Sequence, residues 1–386
     1  MKLDCVNINE VIPEETDFSP FRIEIKNRKG ESENTNRIFV ENDDVKAELL
    51  PSKGMSVGEV FFSDRPLFWE PPIGLPDPEK IDLLGNKVLI NGSELEGFDY
   101  LETFMGGIEF YGLRNWGMSR TKNTKIYPLH GETSNIPVKE AEIVRKNKGI
   151  CVSGSFIYHS MDGNAGTKWH LSGKKLYHVV QSLFIPNKGK MMTFKTTIEN
   201  LSGETLMPDW GYHITFKPEN GSKLIVPSKH REMRGGSVLP EEMETWHPAK
   251  NDKIRTETGI IHKELLTENG KAFILFKYTD GKGVKFTFPA SPYFQTWFCN
   301  GGANSSEFTY RDGKPVFNRN WDGQGVEIGS SSLDHDGNID QTVKYESELK
   351  AGAVKEIKLQ FELLDETECT QLEKRIREYN TKKKEI

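Results

Sequence analysis

The sequence predicts an all-β protein, folded as one large antiparallel sandwich of two packed sheets. Three observations predict it. Short runs of alternating apolar and polar residues recur along most of the chain, turn dipeptides separate them, and too few helical stretches of crossover length intervene to build a parallel α/β sheet. Many antiparallel strands must each bury one face, and two stacked sheets supply that burial.

Strand-like segments are Lys46–Leu50, Lys87–Ile90, Gly154–His159, Leu176–Phe184, Met191–Glu199 and Lys285–Phe288. In Glu356–Phe361 every second residue is apolar, so one face of a strand is apolar. Turns are expected at Asn91–Gly92, Asp162–Gly163, Asn187–Lys188–Gly189, Thr279–Asp280–Gly281 and Asp312–Gly313, where the residue types reach turn backbone at low cost. Two helices are expected, a short one over Gly97–Met105 and one over Glu366–Glu378. No repeat period, linker or low-complexity tract divides the chain, so residues 1–386 read as a single domain, with 1–40 packing on it as an extra strand or flap.

Composition narrows the function classes. Hydrophobic residues at 35% and charged residues at 28% describe a globular soluble chain. A formal net charge of −6 gives no electrostatic reason to hold nucleic acid or an anionic membrane. No stretch has the apolar length of a signal peptide or a membrane span. Cys5, Cys151, Cys299 and Cys369 lie far apart, as reduced thiols of a cytoplasmic protein would. Nucleotide, P-loop, zinc-protease and serine-hydrolase signatures are missing, and the nine histidines form no close ligand pairs. The expectation is a cytoplasmic monomer or homodimer with no cofactor and no metal.

Four clusters place polar and aromatic residues inside strand-like text. Gly112–Gly117 leads to Tyr127–Pro128–Leu129–His130–Gly131–Glu132, where Gly131 lets the backbone pass close to another segment. A turn holding a structural histidine accounts for it equally well. In Asp209–Phe216, period-2 alternation puts Asp209, Gly211, His213 and Thr215 on one face and Trp210, Tyr212, Ile214 and Phe216 on the other. The first face leaves room for a ligand, while a buried histidine satisfied by Asp209 is the plainer alternative. Tyr293–Asn300 places Gln295 and Trp297 on one face, suited either to stacking on a sugar or to core packing. Glu327 sits between Val326 and Ile328, where a carboxylate needs a partner or a role.

In their order and separation these clusters resemble the signposts of the aldose 1-epimerase (galactose mutarotase-like) superfamily, and more narrowly a branch carrying a Pro-Leu-His-Gly element. The resemblance runs from about Glu41 to about Phe361 and includes the turn Leu50–Met55. It implies a large antiparallel β-supersandwich with a sugar cleft on one sheet. It also implies that His130 and His213 are the two site histidines and Glu327 the late catalytic glutamate. Arg114 would then hold sugar hydroxyls, Gln295 and Trp297 would line the cleft, and Asp209 is a further sugar-binding candidate by proximity. The chain departs from the best-known mutarotases in reading Trp-Gly-Tyr-His for their Asn-His element and Val-Glu-Ile-Gly for their Glu-Pro pair.

Interconverting the anomers of an aldose needs a base on the C1 hydroxyl and an acid on the ring oxygen, with roles exchanged on reclosure. The resemblance assigns Glu327 as base and His213 as acid, with His130 and Arg114 binding hydroxyls. Two other readings stay open. One is a non-catalytic carbohydrate-binding protein; the other is an isomerase or lyase of an acidic sugar, whose extra cation would come from Arg120, Lys122 or Lys125.

Overall fold

The computed structural model describes residues 1–5, 17–27, 36–70, 87–90, 93–98, 103–122, 125–160, 173–234, 238–251, 256–291, 293–300, 308–310, 322–331 and 348–381. Among them, two large antiparallel sheets dominate, one of ten strands and one of eleven. The middle of the ten-stranded sheet runs Gly149–His159, Lys175–Pro186, Met191–Asn200, Val354–Leu364, Gly283–Pro289 and Lys271–Lys277. The other sheet runs Ser228–Met233, Thr256–Leu265, Tyr293–Asn300, Gly323–Gly329, Asp209–Phe216, Ile108–Leu113 and Ser56–Phe62, then continues toward the N-terminal strands.

The core lies between the sheets. Phe216 stacks on Phe276 at 4.7 Å, Phe288 on Phe294 at 4.9 Å, and Phe68 meets Phe361 edge-on at 5.5 Å. Each such ring, fully buried, stabilises the fold by roughly 1.5–3 kcal/mol. The apolar face of Asp209–Phe216 points inward, with Tyr212, Ile214 and Phe216 fully buried in the main apolar cluster. The opposite face of the same strand is thereby turned away from the core, and the site is built there.

Several strands are longer than their alternation suggests. Gly149–His159 begins five residues before the expected start because Gly149 already pairs with Pro186. The helix Glu366–Thr381 starts where expected and continues past Glu378. Asp365 and Glu368 cap it reciprocally, each accepting the other's backbone N–H at 2.9 Å. Its buried residues Cys369, Leu372 and Ile376 follow helical spacing and pack on Ile225, Phe273 and Leu275. The N-terminal region adds one strand to each sheet, Lys2–Asp4 against Glu140–Lys146 and Arg22–Asn27 against Asn36–Glu41. The turns at Asn187–Gly189 and Thr279–Gly281 each carry a glycine at positive φ. Those expected at Asn91–Gly92, Asp162–Gly163 and Asp312–Gly313 lie outside the described residues. So do 99–102 of the short helix expected over Gly97–Met105, and its described flanks hold no α-helix. No helix among the described residues is long and apolar enough to cross a membrane.

Candidate functional site

Strand register assembles the centre. His213 is the paired residue of Glu327 on one side and of Glu109 on the other, and Glu327 is in turn paired with Gln295. Directly paired residues share a face, so Glu109, His213, Glu327 and Gln295 form one row across four strands. Within it, His213 Nε2 stands 3.5 Å from Glu327 Oε1.

His130 arrives from a loop laid over this row. Its own φ is 57° and that of Gly131 is 75°, so the backbone makes a left-handed turn that glycine tolerates best. A side chain at Gly131 would collide with the Asn115 carbonyl and Gly112, and this is the close passage its sequence suggested. The His130 Nδ1–H donates to the Trp116 carbonyl at 2.8 Å, which leaves Nε2 as an acceptor. The two imidazole rings lie 5.5 Å apart, and one donor atom from each of His130, His213 and Glu327 falls within 4.8 Å of the others.

Glycines and aromatic rings shape the surroundings. The Trp116 indole lies across Gly211 and Gly329, and the Trp297 indole across Gly325, in spaces that any side chain would fill. Phe104 meets His213 edge-on at 4.7 Å, and Tyr111 lies 5.3 Å from His130. Burial sets the electrostatics. It pushes the His130 imidazolium down to about pKa 4, the Trp116 carbonyl partly opposing and the Arg234 charge assisting. It also holds His213 well below the usual histidine range, with His130 adding to the shift. Both rings are therefore neutral near pH 7.

The other expected residues are placed differently. Gln295 is fully buried beside Glu327, its Oε1 accepting the Tyr293 hydroxyl at 2.6 Å. Trp297 adjoins His213 at 5.0 Å but is only 3% exposed, a wall and not an open platform. Asp209 accepts the Trp116 backbone N–H at 3.2 Å and the Ser331 hydroxyl at 2.5 Å, so it anchors the Trp116 loop and does not bond His213. Arg114 is ion-paired with the buried Glu132, donates to the Ile126 carbonyl at 3.1 Å and lies over Tyr127 at 4.4 Å. Burial alone would lower the Arg114 pKa, yet the Glu132 carboxylate holds it above its ordinary value. None of these contacts brings Arg114 to the His–His–Glu centre. Arg120 also lies over Tyr127, at 4.8 Å. Lys122 and Lys125 pair as backbone in a short hairpin beside it.

Residues that the sequence did not mark surround the centre. Lys53, in the expected opening turn, is completely buried and ion-paired with Glu109, which also accepts the Tyr111 hydroxyl at 2.7 Å. A lysine at the tip of the Leu50–Met55 turn was the available signal. Arg234, standing before the Gly235–Gly236 pair, is a cation whose charge reaches His130. Two neutral imidazoles and a carboxylate also have the donor chemistry of a divalent-cation site, which linear spacing could not reveal because the three residues lie far apart in sequence. A separate cavity of about 770 Å³, lined in part by Arg65, Lys190, Lys217, Tyr278, Asp365 and Glu368, contains no imidazole or thiol.

The family described as "Domain of unknown function (DUF4432)" matches residues 32–303, more than two thirds of the chain. No curated protein matches. Among solved structures, one from Klebsiella pneumoniae, provisionally assigned as an aldose 1-epimerase, is similar over 94% of this chain and 89% of its own, at 18% identity and a TM-score of 0.74. A galactose mutarotase-like protein of Clostridium acetobutylicum is similar over 89% of this chain and 99% of its own, at 16% identity and a TM-score of 0.53. These likenesses establish a galactose mutarotase-like antiparallel fold.

Proposed function

The chain belongs to the DUF4432 family, whose description names no activity, and from that premise we propose that it interconverts the anomers of an aldose or related sugar by acid/base catalysis at C1. The observation that carries this reading is the buried pair His213–Glu327, 3.5 Å apart, with His130 beside it. Neighbours of this fold that carry epimerase and mutarotase names support the substrate class.

Glu327 takes the C1 hydroxyl proton while His213 delivers a proton to the ring oxygen. The C1–O1 bond becomes a carbonyl and the C1–ring oxygen bond breaks. After rotation about the C1–C2 bond the same groups run the steps backward, closing the ring on the other face. Burial imposes one condition. The imidazole of His213 is neutral before the sugar enters, so it takes up one proton as the substrate binds, while Glu327, 3.5 Å away, stays ionised to receive the C1 hydroxyl proton. His130, its Nδ1–H fixed on the Trp116 carbonyl, accepts a sugar hydroxyl at Nε2. The Trp116 and Trp297 indoles shed water from around the reacting atoms.

The test is Glu327→Gln, which keeps the side-chain shape and removes the base. Saturation-exchange NMR across a sugar panel should show anomer exchange falling by about 10²–10⁴-fold with the fold intact. Exchange equal to that of the unaltered protein overturns the reading.

A further inference from the structure

Beyond Glu327 the row of paired residues continues to Gln295, where the chemistry differs from that of the His–His–Glu centre. Arg234 extends the pairing of Ser228–Met233 with Thr256–Leu265, its N–H donating to the Gly259 carbonyl at 2.9 Å. Gly259 is the paired residue of Trp297, so its missing side chain belongs to the face that carries Trp297 and Gln295. The Arg234 side chain runs through that space. A Cβ on Gly259 would stand 3.2 Å from Arg234 Cβ, 3.3 Å from its Cδ and 3.7 Å from Gln295 Oε1. The guanidinium then reaches Met118, with Nη2 3.3 Å from Sδ, two residues beyond Trp116. Arg234 thus spans from the outer strands to the loop that carries the Trp116 wall.

Gln295 lies under this span. It is fully buried, and its Oε1 is occupied by the Tyr293 hydroxyl. Its Nε2 has no hydrogen-bond partner among the described residues. A buried donor left unsatisfied costs roughly 1–3 kcal/mol, so a ligand acceptor at that point gains what the fold forgoes. This end of the row therefore sets a buried amide N–H donor of Gln295 beside the positive charge of Arg234, while the amide acceptor is already used. Oxygens that only accept match such a set, whereas a hydroxyl group would bring a proton of its own with nowhere to place it.

We propose that Arg234 and Gln295 receive an anionic substituent of the sugar, a carboxylate or phosphate group, so that the substrate class is an acidic or phosphorylated sugar. This rests on the sugar-cleft reading above and narrows it. The guanidinium also offsets the repulsion that Glu327 would exert on an anion entering the same cleft.

Calorimetric titration with glucuronate, glucose 6-phosphate and glucose tests it, with anomer exchange followed by NMR in the same samples. At least one anionic probe should bind ten-fold or more tightly than glucose, and the two anionic arms separate carboxylate from phosphate. Arg234→Gln should bring the anion-to-neutral affinity ratio close to one. Gln295→Leu should lower the ratio while Arg234 stays in place, and added salt should shrink it in the unaltered protein. Glucose binding as tightly as both anions, or a ratio unmoved by Arg234→Gln, overturns the proposal. Anion-selective binding with no exchange of any probe supports this assignment and sinks the acid/base reading alone. Exchange of glucose with no anion preference does the reverse.

Discussion

The indole of Trp116 rests on the backbone of Gly329, in a space where even a methyl group would overlap the ring. Trp116 also accepts the His130 Nδ1–H at its carbonyl, so the packing of one wall sets the position of a site histidine. Gly329→Ala should therefore act twice. Overpacking destabilises by about 1–3 kcal/mol, and displacement of the loop should weaken sugar binding about ten-fold or more. Urea denaturation and calorimetry measure the two effects, and a variant with unchanged affinity would separate the wall from the histidine.

Acid should destabilise the protein over a window set by its buried imidazoles. His130 is held at about pKa 4 and His262 at about 3, in both cases chiefly by burial, and His213 well below its usual value. The unfolded chain binds these protons near pH 6.5 and the folded chain does not. Stability is then complete above about pH 6.5 and falls as pH drops toward 4, by up to about 1.4 kcal/mol per pH unit for each ring. Melting temperatures from pH 7.5 to 4.5 should show this slope, and the double variant H130Q/H262Q should make it shallower, leaving the share of His213. A flat profile in the unaltered protein contradicts the burial argument.

The cluster of His130, His213 and Glu327 should capture a divalent ion when one is supplied, because both imidazoles are already deprotonated. The proposed acid/base catalysis uses those same atoms. Zinc should therefore inhibit anomer exchange in competition with sugar, and chelator should leave the untreated protein's exchange unchanged. Loss of exchange on chelation would mean that a metal takes part in the reaction.

Lys53 and Glu109 form an ion pair with no exposure to solvent, one strand away from His213. Burial pulls the lysine pKa down and the carboxylate pulls it back, so neither charge is tolerated alone. Lys53→Met should cost about 3–5 kcal/mol by stranding the Glu109 charge. The double replacement K53M/E109M should recover most of that loss. Equal destabilisation by the single and double variants would place the damage in packing and not in charge.

The sequence made the centre legible where local periodicity controls geometry. Alternation through Asp209–Phe216 put His213 on the face turned from the core, and the glycine after His130 marked a close backbone passage. Relationships between distant segments were not legible. Nothing near Asp209 announces that Ser330 and Ser331 come to it from 121 and 122 residues away. Nothing in the spacing of Arg114 shows that the Glu132 carboxylate is buried against it. Arg234 escaped notice because its direction is set by a missing side chain, Gly259, on the neighbouring strand. Strand ends were under-read for a related reason, since pairing partners extend a strand past the point where its own alternation fades.

The centre draws His130, His213 and Glu327 from three separated stretches of chain, and the strand carrying Glu327 is inserted between two already long partners, Asp209–Phe216 and Tyr293–Asn300. During synthesis the first two residues emerge long before the third, and Asp209–Phe216, paired with Ile108–Leu113 on one side, has its other edge open until Gly323–Gly329 arrives. Contacts so remote in the chain form slowly. Onset of sugar turnover would thus time the final closure of the sheet, and a nascent or truncated chain ending before Gly323 should be inert, with an aggregation-prone gap where that strand belongs.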